Sequence, residues 1–180
     1  MPLLPKEPDI LPETIFDLDD PWHVAHVRSR QEKVLARHLA QRRIAFFLPQ
    51  MDKTVTRAGR RLTSYVPLFP GYVFFRGSAA ARQMALRSNV VANLIEVENQ
   101  PLLTEELRQI RSLQLAGASL VPVEELVPGD AVRITEGAFA GYQGVVIRGG
   151  RADRLLVSVS LLRKGVAVEF ARQTLKRRRV

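Results

Sequence analysis

The chain has 180 residues, 46% hydrophobic and 25% charged, which suits one medium domain or two small ones in an ordinary globular protein. It has no cysteine, which excludes a disulfide framework, a thiolate zinc site and a cysteine nucleophile, and no apolar run approaches the ~20 residues of a membrane span. The net charge of +9 hides an asymmetry: residues 1–20 hold six acids against Lys6, so the other 160 residues carry +14, a balance that favours a polyanion or an acidic protein surface as partner. Lys6 is not followed by an apolar core of signal-peptide length, so a cytoplasmic location is expected.

Residues 1–20, rich in proline and acid and without sustained periodicity, read as a disordered lead-in. A folded unit is expected from Pro21, with Trp22 to Arg28 as its first strand. Ser29 followed by Glu32 has the spacing of a capping box, which predicts a helix starting at Ser29 and a cost of ~1 kcal/mol for Ser29→Ala. Val34, Leu35, Ala36, Leu39 and Ala40 supply that helix's inner stripe, and Arg30, Lys33, Arg37, Arg42 and Arg43 its basic outer side. Ile44 to Leu48 reads as a short buried strand stopped by Pro49. Residues 51–66 read as a hairpin whose loop is Ala58-Gly59-Arg60 and whose tip carries Arg57, Arg60 and Arg61.

The run from Val66 to Phe75 holds much of the aromatic content in one short span. Pro67 and Pro70 stiffen it, and Gly71 permits a sharp bend before Tyr72-Val73-Phe74-Phe75, apolar on both faces as in a covered strand. It is open to two interpretations: a central strand entered through a Pro-Gly turn, or a rigid aromatic patch at Phe69 and Tyr72 for a partner protein. A small helix is expected from Ser78 to Arg87 and a strand from Val90 to Val97. A second helix, capped by Thr104, would have Glu105 and Glu106 in its first turn and Leu107, Ile110 and Leu113 inside. Together these make an α/β sandwich over residues 21–115, with antiparallel-type strands and flanking helices.

Residues 116–127 show no strong period and read as a linker. Over residues 128–180 the pattern turns all-β. Short alternating segments are separated by turns at Gly137, Gly141, Gly149-Gly150 and Gly165, as in a five-stranded barrel, before the basic tail Lys176 to Arg179.

No enzyme signature is present. His23, His26 and His38 lie on a strand and a helix without convergent acidic or cysteine ligands, so neither a metal site nor another cofactor is expected. No phosphate-binding loop occurs, and the glycines at 137, 141 and 144 lack the strand-to-helix context that would give them that meaning. Binding remains as the expected activity.

The segment Pro128 to Val146, in which a strand ends at Glu136-Gly137 and a loop offers Phe139 and Tyr142 before a second strand, resembles a KOW motif. Through Leu162 and Phe170 the similarity extends to the tail domain of NusG-type transcription factors. Trp22 to Arg28, Gln31-Glu32-Lys33 and Pro67 to Phe74 resemble the NusG N-terminal domain, and the likeness covers residues 21–176. The wording of residues 28–33 and 68–74 is closer to the specialised UpxY- and RfaH-like antiterminators than to the general factor.

This resemblance implies a monomeric elongation or antitermination factor whose N-terminal domain grips the clamp helices of bacterial-type RNA polymerase and alters processivity, pausing and termination. Carried over by motif, the docking depression would be lined by Trp22, Val66, Leu68, Phe69, Pro70, Gly71, Tyr72 and Phe74. Arg30, Arg57, Arg60 and Arg61 would contact upstream DNA or the displaced non-template strand, although solvated arginines would look the same in sequence. The KOW domain would offer Phe139, Tyr142 and Leu162 to Rho or to a small-subunit ribosomal protein. Leu162 replaces the family's usual aromatic, and Arg163-Lys164-Gly165 replaces its Gly-Arg turn. A ribosome- or RNA-associated KOW protein is the alternative. The glycine-broken, valine-rich strands oppose a switch to a helical fold.

Overall fold

The strands expected around Trp22 and Phe74 meet at the middle of an antiparallel sheet. In the computed structural model, which describes residues 7–123, 130–134, 140–147 and 153–170, the chain divides into two units, residues 1–100 and 101–180. The first unit holds β1 (Ile10–Leu11), β2 (Trp22–Val27), β3 (Ala45–Phe47), β6 (Tyr72–Arg76) and β7 (Val91–Ile95) in the order β1-β3-β6-β2-β7. β4 (Gln50–Arg57) and β5 (Arg60–Pro67) form a separate two-stranded sheet. The central strand β6 is bonded on both sides, and burial of Val73 and Phe75 on one face and of Phe74 on the other accounts for its unbroken apolar sequence.

Helices α1 (Glu32–Gln41) and α2 (Ala79–Leu86) cover one face of this sheet. Leu35, Ala36 and Leu39 of α1 and Ala85 of α2 are buried with Ala25, Val27, Phe46, Val73 and Phe75 from the strands. Strand alternation sends Trp22, Val24, Phe47 and Phe74 to the opposite face.

Two expectations change in this unit. Residues 7–20 are folded: β1 pairs with β3, and a 3-10 turn at Ile15–Asp17 buries Ile15 and Phe16. The ring of Phe16 lies 6.0 Å from Trp22 and 5.5 Å from Phe47, so a few apolar residues scattered among acids and prolines cover the sheet. The capping box is absent. Arg30 adopts φ 60, α1 begins only at Glu32, and no side chain caps it. The helix expected from Ser78 is present: Ser78 is the N-cap of α2, without a side-chain capping bond.

The second unit contains α3 (Gln100–Leu115, of which Gln100 belongs to the first unit), β8 (Leu120–Val123), β9 (Asp130–Arg133), β10 (Gln143–Ile147), β11 (Asp153–Val159) and β12 (Lys164–Phe170). Its strands form an antiparallel sheet in the order β8-β12-β11-β10-β9, in keeping with a KOW-like barrel. Leu155, Leu156, Val157, Val159, Val166 and Val168 are buried there. Gly144 and Gly165 run so close to β11 that an added Cβ would lie 2.3 Å and 2.7 Å from its carbonyl oxygens.

Helix α3 starts four residues before Thr104, because Pro101 is tolerated in a first turn and Gln100 ties down the start by donating to Val97 O at 3.2 Å. Thr104 is therefore no cap. The expected linker contains β8, whose Pro122 is tolerated because this strand is at the sheet edge. After β11 the chain enters a 3-10 turn at Ser160–Leu162, closed by Arg163 at φ 53. The expected turns at Gly137 and Gly149-Gly150 and the basic tail lie outside the described residues.

Candidate docking turn, basic hairpin and KOW face

Phe69-Pro70-Gly71-Tyr72 forms a type II turn. The Tyr72 amide donates to Phe69 O at 3.1 Å, Pro70 takes the second position and Gly71 the third with φ +87, where an L side chain would be strained. Three further bonds pin the turn. Leu68 N–H donates to Pro49 O at 2.8 Å, Val27 N–H to Gly71 O at 2.8 Å, and Gly71 N–H to the Glu32 carboxylate at 2.7 Å. Tyr72 then stacks on His26 of the neighbouring strand, ring centres 5.1 Å apart.

The eight residues expected to line a docking depression fall into two groups. Trp22, Leu68, Phe69 and Phe74 are 1% exposed or less and belong to the core. Phe69 stands edge-on to Phe74 at 6.0 Å, and Trp22 is sandwiched by Phe16 and by the Arg76 guanidinium, 4.6 Å from the ring centre. As surface anchors these four are corrected: their burial in the core leaves nothing to present. Pro70 is exposed, while Val66, Gly71 and Tyr72 are half-buried. Sequence reasoning missed His26, which is exposed beside Tyr72, and Glu32, which is buried. The available signal for Glu32 was a lone acid between Arg28, Arg30, Lys33 and Arg37.

The hairpin is present as expected but with a tighter loop. Ala58 and Gly59 alone form it, at φ 50 and 74, a two-residue turn matched to the twist of the strands, and Arg57 and Arg60 become cross-strand partners. Arg60 and Arg61 are exposed, and the Arg57 side chain lies outside the described residues. Between tip and base sits an exposed cross-strand apolar pair, Val55 and Leu62, with Thr54 and Thr63 bonded beside it at 3.1 Å. Arg30 is exposed too, on the separate connection into α1.

In the second unit, α3 meets Tyr142, Gln143 and the turn at Ser160–Leu162. Glu106 is buried on α3 and accepts the Ser160 amide at 3.1 Å on each oxygen as well as the Ser160 hydroxyl. Burial pushes its carboxyl above the ordinary glutamate range, and these hydrogen bonds only partly offset that. Gln109 Oε1 accepts the Gln143 amide at 2.8 Å. Tyr142 is half-buried and bonds Ser112; burial raises its phenol and the bond opposes the rise. A cavity of about 320 Å³ remains between Glu105, Arg108, Gln109 and Ser112 of α3 and the loop Ala140-Gly141-Tyr142. Leu162 is half-buried in the 3-10 turn beside Ser160, and Phe139 lies outside the described residues. Among the described residues no cluster of three metal-binding side chains occurs, and no helix is long and apolar enough to cross a membrane.

The described residues thus give a pinned aromatic turn, a two-stranded basic hairpin and a small β-sheet unit. The family model described as "Transcription termination factor nusG" matches residues 20–112. The transcription termination/antitermination protein NusG of Buchnera aphidicola subsp. Acyrthosiphon pisum (strain APS) is 30% identical over 130 residues, 68% of this chain and 72% of the relative. The fold is similar to that of Thermotoga maritima NusG, solved in a study of its domain interaction, with a TM-score of 0.53 at 18% identity over 88% of this chain and 97% of that one. The chain belongs to the NusG family of transcription termination/antitermination factors.

Proposed function

We propose that this NusG-family protein binds RNA polymerase through its first unit, using the surface around Pro70 and Tyr72, and modulates processivity, pausing and termination. The observation that carries this is the pinned turn. A loop held by four hydrogen bonds through its own backbone loses little freedom on docking, so contacts made by its exposed residues convert efficiently into affinity. Pro70, Tyr72 and Val66, with His26 alongside, form the contact surface, and Trp22, Leu68, Phe69 and Phe74 support it from beneath.

The hairpin arginines Arg57, Arg60 and Arg61, with Arg30, reach upstream or non-template DNA. The support is the clustering of Arg57, Arg60 and Arg61 at the tip of a ribbon that pairs with no other strand among the described residues, and the exposure of Arg30. The KOW unit recruits Rho or a small-subunit ribosomal protein through Tyr142, Leu162 and Phe139. Because α3 is bonded to Tyr142 and to the turn holding Leu162, a partner on that face competes with α3. The wording of residues 28–33 and 68–74 supports a specialised UpxY- or RfaH-like role, exercised as a monomer in the cytoplasm. Co-purification tests the assignment: the chain is expected with core polymerase, whereas recovery with ribosomal subunits alone would favour a ribosome-associated role.

A further inference from the structure

We infer that Glu32 is a positioning residue that selects the orientation of the docking turn and thereby aims the Pro70 carbonyl outward as a hydrogen-bond acceptor for the partner. This rests on the assignment of the turn as the polymerase-docking element. The physical basis is the difference between the two common turns compatible with Pro at the second position. Types I and II share their ends and differ by a flip of the central peptide plane, here the Pro70–Gly71 unit. Glycine makes the type II form accessible, but it does not enforce it, since glycine also accepts the negative φ of type I.

Glu32 does enforce it. Its carboxylate, buried at 6% exposure, accepts the N–H of that central peptide at 2.7 Å, a short charge-assisted bond. A flipped peptide would turn the Pro70 oxygen toward the carboxylate and set two acceptors against each other. Peptide planarity fixes the consequence: with Gly71 N–H directed at Glu32, the Pro70 carbonyl points the opposite way. That oxygen accepts no backbone hydrogen bond from the described residues, and Pro70 is exposed. The chemistry it suits is a donor on a protein surface, such as an arginine, lysine or amide side chain. The glutamate that looked like half of a capping box is held instead by a loop 39 residues away.

The test uses the full chain and four proteins: wild type, Glu32→Ala, Glu32→Gln and Tyr72→Ala. Each is titrated into core RNA polymerase, and the turn is followed by NMR through the short Pro70 Hα to Gly71 HN distance that marks a type II turn. Glu32→Gln keeps an acceptor oxygen and is expected to retain that signature and near wild-type affinity. Glu32→Ala should abolish the signature and bind about tenfold more weakly as folded protein. Should Glu32→Ala not fold, Glu32→Lys read against Glu32→Gln serves in its place, with the same loss expected. Loss of thermal stability with the turn signature and affinity intact would overturn the inference. If Tyr72→Ala weakens binding and Glu32→Ala does not, positioning alone fails. If neither the wild type nor any variant binds polymerase, the docking assignment fails and the inference falls with it.

Discussion

Phe69 and Tyr72 occupy the two ends of one turn and have opposite fates. The Phe69 ring is sealed against Phe74, so Phe69→Ala leaves a cavity and should cost about 3–5 kcal/mol of stability, read by denaturant unfolding, with the affinity of the remaining folded protein little changed. Sequence cannot separate the two, because an aromatic beside a Pro-Gly pair is equally suited to filling a core and to anchoring a partner. Only the tertiary surroundings decide it: Phe69 is buried edge-on to Phe74, and Tyr72 stacks on His26 and is half-buried. Glu106 shows the same dependence on tertiary surroundings. Its folded carboxyl titrates above the unfolded value, so the folded state binds the proton more tightly. Stability contributed by this group is therefore greatest below the ordinary glutamate range and declines as pH rises through the raised folded value. Glu106→Gln should flatten that decline in the second unit, as read from the Ser160 amide signal during denaturation at a series of pH values.

At the scale of elements, the hairpin was the most legible feature. Alternating sequence on either side of Ala58-Gly59-Arg60 placed the hairpin over residues 51–66, against 50–67 observed, with a loop one residue shorter than expected. Its length, and its pairing with no other strand among the described residues, suit it to reach a distant polyanion. Replacing Arg57, Arg60 and Arg61 together by alanine should lower the log–log salt slope of binding to an elongation complex by roughly 0.7–0.9 for each phosphate that the hairpin no longer neutralises. An unchanged slope would remove the hairpin from the DNA interface. Helix α1 was legible in its stripe and not in its start. Ser29 and Glu32 have the right spacing, but Arg30 in the left-handed region breaks the first turn, and Glu32 finds a better donor in Gly71. The fold of the N-terminal segment is hidden for a compositional reason. Prolines and acids set its average character, whereas Ile10, Ile15 and Phe16 supply its burial.

For the molecule as a whole, the order of elements, the antiparallel sheet and the following all-β unit were legible, since each rests on periodicity and turn residues. The family was legible as well, because its signatures lie in Trp22–Arg28, Pro67–Phe74 and the KOW segment, and the family match over residues 20–112 agrees. What periodicity could not give was the allegiance of α3. Its inner stripe of Leu103, Leu107, Ile110 and Leu113 looks alike whichever unit it packs with, and residues 101–115 group with the KOW unit through Glu106, Gln109 and Ser112.

The central claim is that a pinned turn in the first unit carries the contact with polymerase. The most direct measurement is the equilibrium affinity of the full chain for core RNA polymerase, wild type against Tyr72→Ala, with the thermal unfolding of both recorded. Tyr72 is half-buried at the open end of the sheet, so its truncation should leave the unfolding transition nearly in place and weaken binding by about 2 kcal/mol, roughly thirtyfold. Equal affinities for two equally folded proteins would contradict the account.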